Sequence, residues 1–230
     1  MSDTVIKTGA TKPVHIIIFA KAPQAGFAKT RLIPALGAEG AAELAQQMLL
    51  HTLQAALLTV ETTSNLLTVE LCATPAFNDE AWNDIPLPQG IVISGQGEGD
   101  LGERMARVAQ RGIEQGNAVI MIGTDCVEMS AKLLSDAAQK LTTHDAVIHC
   151  TKDGGYALLG LNQFNAGLFS NIAWSTDAVA SATLSRIGQL GWSLHVGQML
   201  HDVDEEQDLR HLPENWAEQI SGQWDQYANA

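Results

Sequence analysis

"VHIIIFAKAPQAGFAKTRL", residues 14–32, decides the fold. Its first seven residues are short, β-branched and nearly all apolar, the pattern of a strand buried on both faces. A strand covered on both sides belongs to a mostly parallel sheet with helices above and below it. In such sheets ligands bind beyond the carboxyl ends of the strands. The rest of the quoted stretch, a loop of small residues, stands at that position. It also holds Lys21, Lys29 and Arg31, three of the 13 Lys and Arg in a chain with 26 Asp and Glu.

Working outward, strands and helices alternate. Residues 38–60 read as a long helix, with Leu44, Met48 and Leu49 at helical spacing. Strands follow at 66–73 and 90–94, an amphipathic helix at 101–115, and a fully apolar strand at 118–123. A helix at 131–141 has Ser130 placed to cap it. Further strands are expected at 145–151, 156–161 and 192–197, with a helix near 176–190. The expected architecture is α/β: three layers, α/β/α, around a mostly parallel mixed sheet. Residues 1–212 read as one domain. Residues 213–230, with Trp216 and Trp224, read as a helical tail packing on it.

The net charge of -13 argues against nucleic-acid or anionic-membrane partners, because a polyanion would be repelled. An anionic ligand must then be met locally, by a cationic pocket or a metal ion. Cys72, Cys126 and Cys150 form no CxxC pair, so neither a zinc site nor a disulfide framework is expected. No signal-like N-terminus and no membrane span is read. A reducing, cytoplasmic setting follows as the expectation. Oligomeric state stays open, a homodimer included.

Four loops lie beyond strand ends. In the first, Ala20, Ala22, Ala25, Gly26 and Ala28 let the backbone approach a ligand and turn its N–H groups to a phosphate. Lys29 and Arg31 add positive charge, with Arg able to grip phosphate oxygens in two places. A solvated basic turn is the rival reading. A P-loop does not fit, since two residues separate Gly26 and Lys29. The second loop, "GQGEGDLGERM" (95–105), matches GxGxxG at Gly97, Gly99 and Gly102. Glu98 has the wrong charge for a pyrophosphate, and the motif does not follow the first strand. A Gly-rich wall beside a planar base, or a turn in which Asp100 caps the next helix, fits better.

In the third loop, "MIGTDCVEM" (121–129), Asp125 follows a buried strand and is a hard-oxygen ligand for Mg²⁺ or Mn²⁺, or else a turn residue. Glu128 is a weaker candidate. In the fourth, "HDVDEEQDLRHL" (201–212), Asp202 and Asp204 alternate and point the same way when extended. Asp204 either completes the metal site or caps a helix in a box with Gln207. Finally, "TKDGGYALLGL" (151–161) sets Asp153 before two glycines, to hold or deprotonate an acceptor or simply to make a turn. The seven histidines show no metal-ligand spacing, and no GxSxG is present.

Together "FAKAPQAGFAKTRL", "GDLGERM", "GTDC", "DGGYALLGL", "WSTDAV" and "DVDEEQDL" resemble the DUF2064 family. The likeness runs from about His15 to Leu212. It implies the GT-A, or nucleotide-diphospho-sugar transferase, fold and a glycosyltransferase-like or nucleotidyltransferase activity. It places Lys29 and Arg31 near nucleotide phosphates, and Asp125 and Asp204 as ligands of Mg²⁺ or Mn²⁺. The family commonly reads GTDCP, whereas Val127 and Glu128 follow Cys126 here. The expected nucleotide-binding set is Ala20, Lys21, Gly26, Lys29, Arg31, Gly99, Asp100 and Arg104, with Lys29, Arg31 and Asp153 as catalytic candidates. The expected partners are a nucleotide or nucleotide-sugar and a small acceptor. Three readings remain: nucleotidyl transfer to a small acidic acceptor, glycosyl transfer, and nucleotide binding without turnover.

Overall fold

The structure, a computed structural model, describes residues 12–62 and 67–219. The N-terminal residues read for a signal, and Trp224, lie outside the described residues. Among the described residues, seven strands form one mixed sheet: β1 Val14–Lys21, β2 Leu67–Thr74, β3 Val92–Gly95, β4 Ala118–Ile122, β5 Ala146–Cys150, β6 Tyr156–Leu161 and β7 Leu194–Val196. Their order is β3-β2-β1-β4-β6-β5-β7. All neighbours run parallel except β6, which is antiparallel to both β4 and β5. Among the same residues, four α-helices cover the sheet: α1 Ile33–Thr62, α2 Leu101–Glu114, α3 Ala131–Lys140 and α4 Val179–Gln189. The expected α/β class and mostly parallel sheet are what the chain forms.

The unbroken apolar runs explain the layering. On β1, Ile16 and Ile18 pack with Leu49 and Leu53 of α1 and Leu134 of α3. Ile17, between them, packs on the other face with Met105 and Val108 of α2 and Ile187 of α4. β4 repeats the alternation, Ile120 on the first face and Met121 on the second. Period-2 geometry sets both sides of these strands against packed neighbours, and His15 near the start of β1 is buried with them. A third cluster joins Leu32, Leu44 and Met48 to Val203, Leu209 and Trp216. Trp216 of this cluster lies in a 3-10 helix, Glu214–Gln219, that follows Pro213.

Two local expectations hold and two shift. Ser130 accepts a hydrogen bond from the backbone of Leu133 and caps α3. Asp100 caps α2 in a reciprocal box with Glu103. The long helix begins earlier than residue 38, at Ile33, and is interrupted at Gly37, where φ is 74°. The 3-10 helix Glu206–His211 is capped by Glu205, not Asp204. Asp208 accepts from the backbone of both Asp204 and Glu205, which leaves the Asp204 carboxylate free of capping.

A buried carboxylate sits inside the fold. Glu70 on β2 is 2% exposed and accepts hydrogen bonds from Ser94 of β3 and Arg111 of α2. His15 Nε2 stands 3.0 Å from its other oxygen, at an angle too poor for a directed hydrogen bond. Burial alone would raise its pKa. His15, Ser94 and the Arg111 guanidinium outweigh burial and hold the carboxyl down at about 2, against an ordinary value of 4.5. A depressed folded pKa contributes stability above the unfolded pKa and loses it as pH falls through the folded one. Between about pH 4.5 and 2, denaturant titrations should show Glu70 giving up about 3 kcal/mol. Glu70→Gln should flatten that part of the pH–stability curve; an unchanged slope would contradict the assignment.

Candidate functional site

The carboxyl ends of β1, β2, β3 and β4 point to one edge of the sheet, and the four loops singled out from the sequence gather there. After β1 the chain turns through Gln24, whose carbonyl accepts from Phe27 and Ala28. Gly26 takes a left-handed φ of 80°, and a Cβ there would meet nothing within 4 Å. The amides of Ala25 and Gly26 have no hydrogen-bond acceptor among the described residues, so both can receive an anion. Lys21 reaches across the loop to the Phe27 carbonyl at 2.7 Å. Arg31 is 71% exposed at its side chain and only 3.9 Å from Glu205, a loose surface contact.

Lys29 behaves differently from the expected phosphate contact. Its backbone is left-handed, φ 45°, a conformation that costs a non-glycine residue about 1 kcal/mol or more. The turn drives the side chain inward until it is 7% exposed. There Nζ donates to Asp125 Oδ1, to the Val203 carbonyl at 2.7 Å and to Asp204 Oδ1 at 2.9 Å. Burial would lower its pKa. The charges and hydrogen bonds of Asp125 and Asp204 overcome that and raise it above the ordinary lysine value. The ammonium is therefore a fixed charge.

Asp125 and Asp204 lie 79 positions apart in the sequence and both accept from the Lys29 ammonium. The Val203 amide donates to the Asp125 carbonyl at 2.8 Å and pins the two loops together. Val203 itself is fully buried, so the alternation of "DVD" turns Asp202 and Asp204 away from the core. Asp202, missed as a site residue, sits beside Thr151. Burial, then the charges of Asp125, Asp153 and Asp204, push its carboxyl up to about 7. Four aspartates thus share one neighbourhood.

The donor set fits a hard divalent ion. Asp125 Oδ1, Val203 O and Asp204 Oδ1 are all oxygens and already surround a cation. Among the described residues no three His, Cys, Asp or Glu side chains form a complete cage. Magnesium does not need one: one or two carboxylates plus water and substrate phosphates are its usual protein ligands.

The remaining sequence candidates divide. Gly99 is left-handed at φ 102°, and its carbonyl accepts from Arg104 Nε at 2.9 Å. Arg104 also donates to Gln96 Oε1 at 3.1 Å. Gln96, overlooked in the sequence, donates from Nε2 to the carbonyls of Ala20 and Cys72. It ties the loop after β3 to the ends of β1 and β2. Asp100 spends its carboxylate on the α2 cap. Asp153 accepts from Thr151 Oγ1 and, at 3.0 Å, from the Gly155 amide. Its glycines serve the turn: a Cβ on Gly154 would lie 2.2 Å from the backbone oxygen of Asp177. Glu128 accepts from the amide and ring of His201 and braces this edge rather than the cation.

Known proteins share this arrangement to different degrees. A structure from Desulfovibrio desulfuricans G20, provisionally named a nucleotide-diphospho-sugar transferase, is 28% identical, with a TM-score of 0.77 over 86% of this chain and 84% of that one. CMP:2-keto-3-deoxy-manno-octonic acid synthetase complexed with CTP is 10% identical, with a TM-score of 0.52 over 90% of this chain and all of that one. The bifunctional IspDF of Campylobacter jejuni is 10% identical, with a TM-score of 0.53 over 87% of this chain and 54% of that one. At 10% identity these two show the fold alone. No curated protein matches the chain. The family profile described as "Uncharacterized protein conserved in bacteria (DUF2064)" matches residues 57–176. That span holds Asp125 and Asp153, while Lys29, Arg31 and Asp204 lie outside it. A match over half of the sequence, on a sheet of this order, makes the chain a member of the DUF2064 family with a nucleotide-diphospho-sugar transferase fold.

Proposed function

We propose that the protein is a nucleotide-dependent transferase, and specifically a metal-dependent nucleotidyltransferase. One observation carries the reading: Asp125, Asp204 and the Val203 carbonyl converge on the ammonium of Lys29, whose loop also holds the free amides of Ala25 and Gly26 and leads to the exposed Arg31. A nucleoside triphosphate lies along the edge of the sheet, its base against the wall at Gly97 and Gly99 that Arg104 holds in shape. Its phosphates take the amides of Ala25 and Gly26 and the guanidinium of Arg31. A divalent ion, Mg²⁺ or Mn²⁺, bound by Asp125 and Asp204 would neutralise phosphate charge. Lys29 and Arg31 stabilise negative charge that grows on the departing pyrophosphate, the main demand of phosphoryl-type transfer.

The acceptor is a small molecule with a phosphate or carboxylate, already a nucleophile, so no strong general base is required. Asp153 is engaged in its own turn, where its Oδ1 accepts from Thr151 and from the Gly155 amide. The rival is glycosyl transfer from a nucleotide-diphospho-sugar, favoured by the name given to the 28% identical structure. In that case Asp153 is the base for a sugar hydroxyl. The three cysteines are free thiols. No helix among the described residues is long and apolar enough to cross a membrane.

The test is product analysis. The protein is incubated with Mg²⁺ or Mn²⁺, each of the common triphosphates or nucleotide-sugars, and phosphorylated or acidic acceptors. Pyrophosphate release with a nucleotidylated acceptor is the expected result. Release of a nucleoside diphosphate from a nucleotide-sugar selects glycosyl transfer. Nucleotide binding without any product selects a binding module and defeats both.

A further inference from the structure

Lys29 occupies the point that a divalent ion needs. We propose that Lys29 is a displaceable counterion, holding the Asp125–Asp204 site in the nucleotide-free protein and competing with the metal for the same three oxygens. The inference rests on the reading that a metal enters between these carboxylates, and it adds how entry is controlled.

The geometry leaves room for one cation. Nζ is within hydrogen-bond distance of Asp125 Oδ1, Val203 O and Asp204 Oδ1 at once. An ammonium and a dication about 4 Å apart would repel by several kcal/mol, even at the effective dielectric of a protein surface. Charge balance makes the same point. Without a cation, Asp125 and Asp204, whose Oδ1 atoms both accept from the same Nζ, would face each other as like charges. Lys29 relieves that repulsion from within the chain.

Displacement needs somewhere for the ammonium to go. The loop before it has small residues and a Gly26 with open space around it, so it can give. Phosphates arriving with the metal offer Nζ new oxygens on the same edge. A bare metal ion offers none, and must send the ammonium into water. Two consequences follow. Metal alone binds weakly, and metal and phosphate bind cooperatively, each raising the affinity for the other by the same factor.

The experiment is a titration of Mn²⁺ followed by the paramagnetic resonance of the free ion, with no turnover involved. Lys29→Met should bind Mn²⁺ about tenfold or more tightly than the wild type, since one competing positive charge is gone. Arg31→Met, next door but not on the carboxylates, should leave Mn²⁺ affinity of the free protein unchanged. Inorganic tripolyphosphate, which has no base to recognise, should raise Mn²⁺ affinity in the wild type and much less in Lys29→Met. Equal or weaker Mn²⁺ binding by Lys29→Met overturns the proposal. Should that variant not fold, judged by circular dichroism, independence of Mn²⁺ and tripolyphosphate in the wild type overturns it instead. A lack of turnover with every triphosphate would defeat the nucleotidyltransferase reading and leave the manganese result standing on its own.

Discussion

Asp125→Asn is expected to lower turnover by roughly 10²–10³-fold, the scale seen when one preorganised electrostatic contact at a reacting phosphate or carbonyl is lost. The substitution keeps the size of the side chain and removes its charge. Asp125 is half exposed, so the loss does not come from emptying a core position. Lys29 keeps Asp204 Oδ1 and the Val203 carbonyl as acceptors, which should hold the loop in place and the melting temperature near the wild-type value. Metal binding should fall with activity. The comparison variant is Asp153→Asn. Nucleotidyl transfer to an acidic acceptor predicts a mild effect there, because that carboxylate holds a turn. Glycosyl transfer with Asp153 as base predicts a loss as large as that of Asp125→Asn. Wild-type turnover in a folded Asp125→Asn protein would remove this residue from the chemistry.

The sheet was legible because its central strands have no polar side to disguise them. β1 and β4 are buried on both faces, and a run such as Ile16–Ile17–Ile18 has few other uses. Local chemistry also marked the caps at Asp100 and Ser130, whose partners are three residues away. The start of α1 was less clear, since Pro34 and Gly37 interrupt the pattern before it becomes periodic. The cap near residue 205 was ambiguous in principle. "DEEQD" offers one capping box from Asp204 to Gln207 and another from Glu205 to Asp208. Only a distant residue decides between them: Lys29, 175 positions away, takes the Asp204 carboxylate. The same distance hid the burial of Lys29. Its sequence neighbours are small or exposed, and its partners arrive from loops 96 and 175 residues later. Sequence reading found the residue types of the site and their strand-end positions. It could not show that three of them, Lys29, Asp125 and Asp204, pair with one another.

Gly154→Ala is expected to destabilise the fold by about 3 kcal/mol or more, combining a left-handed backbone with a clash that no rotamer relieves. Gly154 has φ 92°, and an added Cβ would lie 2.2 Å from the oxygen, 2.4 Å from the Cα and 2.6 Å from the carbonyl carbon of Asp177. All three are backbone atoms just before α4, and the Ala180 amide donates to the Gly154 carbonyl at 2.9 Å. The turn between β5 and β6 is therefore locked against the start of α4. Gly26→Ala is the control, with φ 80° but nothing within 4 Å of its Cβ. It should cost only the conformational part, about 1–2 kcal/mol. Denaturant midpoints of the two variants separate steric contact from backbone preference. Equal losses would mean that the segment around Asp177 yields, and that the glycine serves φ alone. The larger loss at Gly154 should also disturb the site. Asp153 is fixed by that turn, and its charge is one of those that keep the Asp202 carboxyl raised. Packing on α4, far along the chain from the cationic loop, thus helps set the electrostatics in which Asp125 and Asp204 work.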